Sequence, residues 1–423
     1  MQKKRIVIVG GGFAGINLVQ KLAKDQRFEI TLVDKNNYNF FPPLLYQVAT
    51  GFLEVSSISY PFRKFFHNID NVRFSLGDLV EVVPSQNLLR TNTGDIPYDV
   101  LVLATGTETN YFGMENVKRN AVPMKTIKDA LVLRNHILMQ LEKATKISDK
   151  DERRKFMTFV ISGGGPTGVE VSGLLAEMHK NIFHKDYPEL DKNEVKIFLV
   201  DAGPAVLGPM SKKSQEESLA ALQKLGINVL LNTPVRDYSD YKVTLGNGEV
   251  IETATLIWAS GVVAREIPGL PANAIGRGRR ILVDGYNKVE GTDNIYAVGD
   301  ACLLTSDPKF PNGHPQVAQV AIQQGRNLAQ NLRAEMEGKT MRAFTYKDNG
   351  SMAIIGTNKA VADLPGLHFK GFIAYLMWLF IHLFSLVKYR SRVRTFYNWM
   401  IAFFTRDQSM RFIIDNRKPE PEV

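Results

Sequence analysis

Residues Arg5–Gly15, "RIVIVGGGFAG", decide the fold. A run of β-branched residues ends in Gly10-x-Gly12-x-x-Gly15. A helical pattern follows, with Ile16, Leu18, Val19, Leu22 and Ala23 at its apolar positions. The strand-like "FEITLVD" then ends in Asp34, 24 residues past Gly10. Strand, glycine turn, helix, strand and acid in this order describe a dinucleotide site. Gly10 permits the tight turn, Gly12 lets the backbone approach a pyrophosphate, and Gly15 lets helix and strand pack closely. The pyrophosphate would sit at the helix N-terminus, where free N–H groups and the helix dipole favour an anion. Asp34 can accept a hydrogen bond from a ribose hydroxyl.

The same unit recurs in "KFMTFVISGGGPTGVE", which carries Gly163-x-Gly165-x-x-Gly168 after a strand. A helix and then "VKIFLVD" follow, ending in Asp201; the charged segment "HKDYPELDKNE" lengthens the connection. An acid at this position accepts from an unphosphorylated ribose and repels a 2′-phosphate, so NADH is expected over NADPH. A further echo supports duplication. "YDVLVLATG" ends at Gly106, 96 residues after Gly10, and "ATLIWASG" ends at Gly261, 98 residues after Gly163. Each is preceded by a hairpin-like stretch, "TNTGDIPYD" or "TLGNGEVIE". Each unit therefore reads as a parallel sheet with an added antiparallel piece.

Composition narrows the class. The 423 residues are 44% apolar and 22% charged, as in a globular chain of two or three domains. Cys302 is the sole cysteine, so no intramolecular disulfide or CxxC pair exists, which fits a reducing compartment. The seven histidines lack metal-ligand spacing, and no metal site is expected. The basic start "MQKKRIVIVGGGF" has an apolar run too short for a signal peptide, so the catalytic part is expected in the cytosol. About half of the net charge of +9 falls after residue 369, beside apolar and aromatic residues. That pairing fits anionic lipid headgroups better than nucleic acid, which is not expected as a partner.

"TDNIYAVGDAC" places Gly299 and Asp300 directly after a strand. With this element the chain resembles the two-dinucleotide-binding-domain flavoprotein oxidoreductases over roughly residues 3–340. The resemblance implies that the first unit and the region 290–340 hold FAD tightly, with Asp300 on the ribityl chain and the NADH unit inserted between them. A helix N-cap is the plainer reading of Asp300. The single cysteine excludes the disulfide reductases and sulfide:quinone oxidoreductases, and Cys302 reads as a packed, inert thiol.

Three further stretches, "FFPPLLYQVATG", "GGGPTGVE" and "HPQVAQVAIQQG", resemble the type II NADH dehydrogenases, single-subunit NADH:quinone oxidoreductases. The resemblance implies FAD contacts from Thr50, Ala104, Gly106, Gly299 and Asp300 beside Gly10, Gly12, Gly15 and Asp34. It implies NADH contacts from Gly163, Gly165, Gly168, Asp201 and Gly261. It places Glu170, Gln319 and Gln323 near the quinone. Gln319 and Gln323 are four apart, on one helix face, and a carboxamide can bond quinone carbonyls without bringing charge into an apolar slot. A solvated helix face is the alternative, and Pro315 fits the helix start. Glu170 near a helix start is stabilised by the dipole alone, so a structural role is also open.

The tail raises a separate question. Gly371–Val387, "GFIAYLMWLFIHLFSLV", holds 17 residues without Lys, Arg, Asp or Glu. As a helix it covers about 26 Å against a hydrocarbon core near 30 Å. A crossing would place Lys388, Arg390, Arg392 and Arg394 outside, against the positive-inside bias. Beyond it, Val393, Phe396, Tyr397, Met400, Phe403 and Phe404 recur at helical spacing beside basic residues, as in a helix lying in a lipid interface. Docking on the core is the alternative for both segments.

The expected architecture is α/β. It comprises an FAD-binding domain at 1–115 and 285–345, a helical connection at 116–155, an NADH-binding domain at 156–284 and a helical membrane-associated region at 346–423. The charged stretch Lys143–Arg154 reads as a solvated linker. The expected activity is non-pumping, respiratory-type NADH:quinone oxidoreduction by a monotopic enzyme on the cytoplasmic face of the inner membrane. The resemblance also implies a homodimer. The rival readings are a soluble NADH-dependent reductase of a protein electron carrier and an NADH-responsive flavoprotein binding module.

Overall fold

In the computed structural model, which describes residues 3–405 and 411–414, each glycine motif joins the middle strand of a five-stranded parallel sheet to a helix. Residues 406–410 and 415–423 of the expected tail region lie outside the described residues. Contacts divide the chain into two units. The first comprises 1–40, 59–108 and 262–349; the second comprises 41–58, 109–261 and 350–423.

The first unit orders its strands Ile295–Ala297, Val100–Leu103, Lys4–Val9, Phe28–Asp34 and Val72–Leu76, all parallel. The second orders them Val122–Pro123, Thr255–Trp258, Thr158–Ser162, Lys196–Val200 and Asn228–Leu230, again parallel. Val100–Leu103, Thr158–Ser162 and Thr255–Trp258 are buried at every residue, as strands covered on both faces must be. The antiparallel additions are the three-stranded sheets Leu79–Val83, Leu88–Thr91, Gly94–Pro97 and Val235–Ser239, Lys242–Leu245, Val250–Glu252. The duplication read from spacing is therefore a duplication of topology. One difference is the edge strand, which comes late in the chain for the first sheet and early for the second.

Two local expectations need correction. The helix carrying Gln319 and Gln323 runs Ala318–Met336, so Pro315 precedes it by three residues and is not its first turn. Lys143–Arg154 is not simply solvated. It contains the end of the helix Ile127–Ala144 and the short helix Lys150–Arg154, and Arg153 forms a two-pronged bridge to Glu194 (2.6 and 2.8 Å) with both side chains 12% exposed.

In the second unit the meander Ser351–Gly356, Lys359–Leu364, Leu367–Lys370 leads into two tail helices, Gly371–Ser385 and Tyr389–Thr405. The first tail helix buries Ala374 and Trp378, one turn apart, and leaves Phe372, Ile373, Leu376, Phe380 and Phe384 exposed. The second buries Ser391, Thr395 and Trp399 at i, i+4, i+8. The aromatic stripe read from the sequence lies on its uncovered side: Val393, Phe396, Tyr397, Met400, Phe403 and Phe404 are all exposed. Docking and exposure thus coexist on each helix. Arg392 donates to the carbonyls of Phe384 (2.9 Å) and Leu386 (3.0 Å), closing the C-terminus of the first helix. No helix among the described residues is long and apolar enough to cross a membrane.

Candidate functional site

The two nucleotide loops share one construction. Gly10 (φ +103°) and Gly163 (φ +116°) turn the chain where an added Cβ would stand 2.2 Å from the Ala104 oxygen or 2.6 Å from the Ala259 oxygen. A Cβ on Gly15 or Gly168 would stand 1.9 or 1.7 Å from the oxygen of Gly10 or Gly163. Gly12 and Gly165 differ: each caps the following helix, and an added Cβ meets nothing within 4 Å. This open ground before free N–H groups fits a pyrophosphate in both units. The residues present therefore fit two dinucleotides, as FAD and NADH require.

The acids have a second task that spacing did not reveal. Asp34 accepts from the backbone N–H of Gly11 (2.7 Å) and Asn36 (2.8 Å). Asp201 accepts from Gly164 (2.5 Å) and Gly203 (2.6 Å). Each carboxylate ties the middle glycine of its loop to the neighbouring strand end, so it shapes the loop. Burial raises the Asp34 carboxyl above its ordinary value, against these backbone bonds.

Around Asp300, the backbone is fixed by glutamines. Gln316 donates to the Asp300 carbonyl (3.0 Å), and Gln324 accepts from the Gly299 N–H (2.7 Å) and the Cys302 thiol (3.2 Å). Cys302 is fully buried, and burial pushes its thiol up to about 11, so it is the inert thiol expected. Gln324 was not among the sequence candidates, although it is the 1%-exposed member of "IQQG".

Gln319 and Gln323 share a face of their helix, but that face holds backbone. Gln323 donates to the Lys347 carbonyl (2.8 Å) and accepts from the Lys347 N–H (3.0 Å). Gln319 accepts from the Asn349 N–H (3.2 Å). Thr50 is buried and bonds the Tyr46 carbonyl (2.9 Å), ending the short helix Leu45–Ala49. Ala104 supplies the oxygen that excludes a side chain at Gly10, and Gly106 (φ +67°) and Gly261 (φ +85°) close their strand ends.

Glu170 lies past the first turn of the helix Pro166–Met178, so the dipole at that helix start does not explain it. It lines a cavity in the second unit with Tyr46, Gln47, Glu177, Tyr375 and Trp399. Burial pushes the Glu170 carboxyl well above its ordinary value, opposed by one hydrogen bond from the Ile354 backbone. Trp399 donates to the Gln47 carboxamide oxygen (2.8 Å), and Gln47 donates to the Tyr46 hydroxyl (3.0 Å). A chain of hydrogen bonds thus links the second tail helix to the "PLLYQVATG" loop. Tyr46 is buried, and that burial raises its hydroxyl well above its ordinary value, so it stays protonated. Behind Tyr46, Trp378 lies edge-on to its ring (6.4 Å) and stacks on His382 (3.9 Å).

Comparison with known proteins agrees with this geometry. Residues 4–325 match the pyridine nucleotide-disulphide oxidoreductase family, and residues 349–407 match the NDH2 C-terminal domain. Two relatives from Mycobacterium tuberculosis carry the name type II NADH:quinone oxidoreductase. Ndh is 34% identical, covering 98% of this chain and 91% of its own; NdhA is 36% identical, covering 96% and 88%. The structure of NDH2 from Plasmodium falciparum in complex with NADH superposes with a TM-score of 0.89 at 23% identity, over 98% of this chain and 100% of that one. The fold is also shared with the sulfide:quinone oxidoreductase of Aquifex aeolicus (TM-score 0.71, 18% identity, 96% of each chain). The chain belongs to the pyridine nucleotide-disulphide oxidoreductase family and, within it, to the type II NADH:quinone oxidoreductases.

Proposed function

We propose that the chain oxidises NADH and reduces a membrane quinone, with FAD as the intervening carrier. The observation that carries this reading is the pair of open glycine loops together with a carboxyl-bearing cavity walled by the tail helices. FAD, when bound, supplies a hydride acceptor that can release its electron pair to a quinone. Gly10, Gly12, Gly15, Asp34, Thr50, Ala104, Gly106, Gly299 and Asp300 would hold it. Gly163, Gly165, Gly168, Asp201 and Gly261 would hold NADH, and the Asp201 carboxylate disfavours a 2′-phosphate.

Burial favours the protonated form of Glu170, the form that can donate to a quinone oxygen. Gln319 and Gln323 remain the proposed quinone-bonding carboxamides on their motif. For Gln323 that role requires release from the Lys347 backbone, where both ends of its amide are engaged. Membrane attachment rests on the uncovered aromatic sides of the tail helices, which lie parallel to a lipid surface in the manner of a monotopic enzyme. Attraction to anionic lipid is carried by the basic excess of the tail. It is tempered because Arg392 and Arg394 already bond Phe384, Leu386 and Ser56, and Lys370 pairs with Glu217 (2.8 Å). A homodimer and the cytoplasmic face of the inner membrane complete the proposal on the family resemblance alone.

Anaerobic stopped-flow tests the function. NADH should bleach the flavin absorbance, and a quinone analogue should restore it. Bleaching without restoration would overturn the quinone assignment. A Gln323→Ala variant should slow restoration more than bleaching.

A further inference from the structure

Net turnover is NADH + H⁺ + quinone → NAD⁺ + quinol, so one proton must enter from solution for every electron pair delivered. A single carboxyl can give a proton once. It must then be recharged from outside before the next turnover.

We propose that Glu177 is the carboxyl that recharges Glu170, forming a two-acid proton route along one face of the helix Pro166–Met178. This rests on the quinone-reductase reading above. Glu170 and Glu177 are seven residues apart, two helical turns, and point to the same side. Both line the same cavity. The space beside the acids has room for about three waters. Two turns of helix span about 10 Å, a gap that such waters bridge.

The surroundings of Glu177 favour a proton carrier over a spent structural acid. Its two oxygens accept from the Thr357 N–H and from the Thr357 hydroxyl (2.8 Å), which fixes the carboxyl at the cavity edge. Despite these bonds, burial raises it above its ordinary value, so it holds a proton more readily than a surface acid. The groups whose charge it feels are Lys359 on the meander and Lys180 beyond its own helix, both lowering it only in part. Tyr375, from the first tail helix, lines the same cavity, and its hydroxyl is pushed up to about 12 by burial and by Glu177. It therefore stays protonated and can hand a proton on while accepting one. In each cycle, the Glu170 O–H bond breaks as a quinol O–H forms. The Glu177 proton then moves through water or Tyr375 to Glu170, and solvent returns one to Glu177. The two electrons and the second quinol proton are those of the hydride that NADH gives up.

The test is Glu177→Gln in the full-length holoenzyme, which keeps an acceptor for Thr357 but carries no transferable proton. Bleaching of the flavin by NADH should be unchanged. Restoration by a soluble quinone analogue should slow about tenfold to a hundredfold, with a larger solvent deuterium effect and a steeper fall toward alkaline pH. Thr357→Val separates structure from proton carriage, since it removes one bond to the carboxyl and leaves the proton. Glu177→Asp should recover part of the rate and serves if the glutamine variant folds poorly. Restoration by Glu177→Gln within twofold of the parent between pH 5 and 9 would overturn the proposal. So would an equal, pH-independent loss in Thr357→Val. Failure of the parent protein to reduce quinone at all would instead sink the functional reading.

Discussion

Replacing Gly165 with Ala puts one methyl group where the second pyrophosphate is expected. The backbone there, φ −72° and ψ −178°, is open to any residue, and the new Cβ meets nothing within 4 Å. Stability should barely change. Alanine is a poorer helix cap than glycine, by up to about 1 kcal/mol, but it restrains the unfolded chain by about 0.4–1 kcal/mol in compensation. The melting temperature should therefore move by no more than about 4 °C. Binding should suffer much more. Holding a phosphate off one backbone N–H forfeits about 1.5–3 kcal/mol, or about tenfold to a hundredfold in affinity. The assay is the KM for NADH alongside flavin content and thermal unfolding. NADH affinity should fall while flavin stays bound; Gly12→Ala should reverse the pattern and lose flavin. Gly168→Ala supplies the contrast, because its Cβ would lie 1.7 Å from the Gly163 oxygen and should prevent folding of that unit. If Gly165→Ala kept the melting point and bound NADH within about twofold of the parent, the pyrophosphate does not approach there and the fit argument fails.

Other substitutions probe other links. Trp399→Phe leaves the buried Gln47 oxygen without its donor, at a cost of about 1–3 kcal/mol, and should raise the KM for quinone while that for NADH holds; equal shifts in both would refute the assignment. Arg153→Ala strips Glu194 of both its bonds and should cost about 2–4 kcal/mol in denaturant unfolding, with Glu194→Gln losing less. Because burial raises Glu170 and Glu177 above their unfolded values, the folded state holds more protons than the unfolded one. Their contribution to stability should therefore fall as pH rises from the ordinary carboxylate value through the raised one. The double variant Glu170→Gln, Glu177→Gln should flatten the melting-temperature profile over that window; an unchanged slope would contradict it. Changing Phe380 and Phe404, 62% and 75% exposed, to Ser should leave melting unchanged yet weaken flotation with vesicles about a hundredfold. Substitution is preferable to truncation before Gly371, which would also remove the buried Trp378 and Trp399.

The nucleotide loops were legible because their geometry is local: turn, approach and helix packing all fall within six residues of Gly10 or Gly163. The tail stripe was legible for the same reason, through helical spacing alone. What escaped was set by long-range partners. Gln47 and Trp399 are 352 residues apart, and nothing in either neighbourhood announces the other. Glu170 was named as a site candidate, but its dipole alternative could be weighed only in the folded cavity, where desolvation governs it. Glu177 offered one usable signal, its seven-residue spacing from Glu170, which would have put both acids on one face. Gln323 illustrates a different limit. A helix-face argument cannot tell whether a carboxamide points at a ligand or binds backbone, and here it binds Lys347 at both ends.

His382 stacks on Trp378 in the middle of the first tail helix and bonds its carbonyl (2.8 Å); burial pushes the imidazole down to about 4. Anionic headgroups concentrate hydronium beside them, and a surface potential near −30 mV lowers the interfacial pH by about half a unit. A histidine of ordinary basicity would charge appreciably in that layer and loosen whatever it held. This one stays neutral by more than two units, so the grip between tail and body is the same on acidic and on zwitterionic lipid. The joint is insulated from the chemistry of the surface on which it rests.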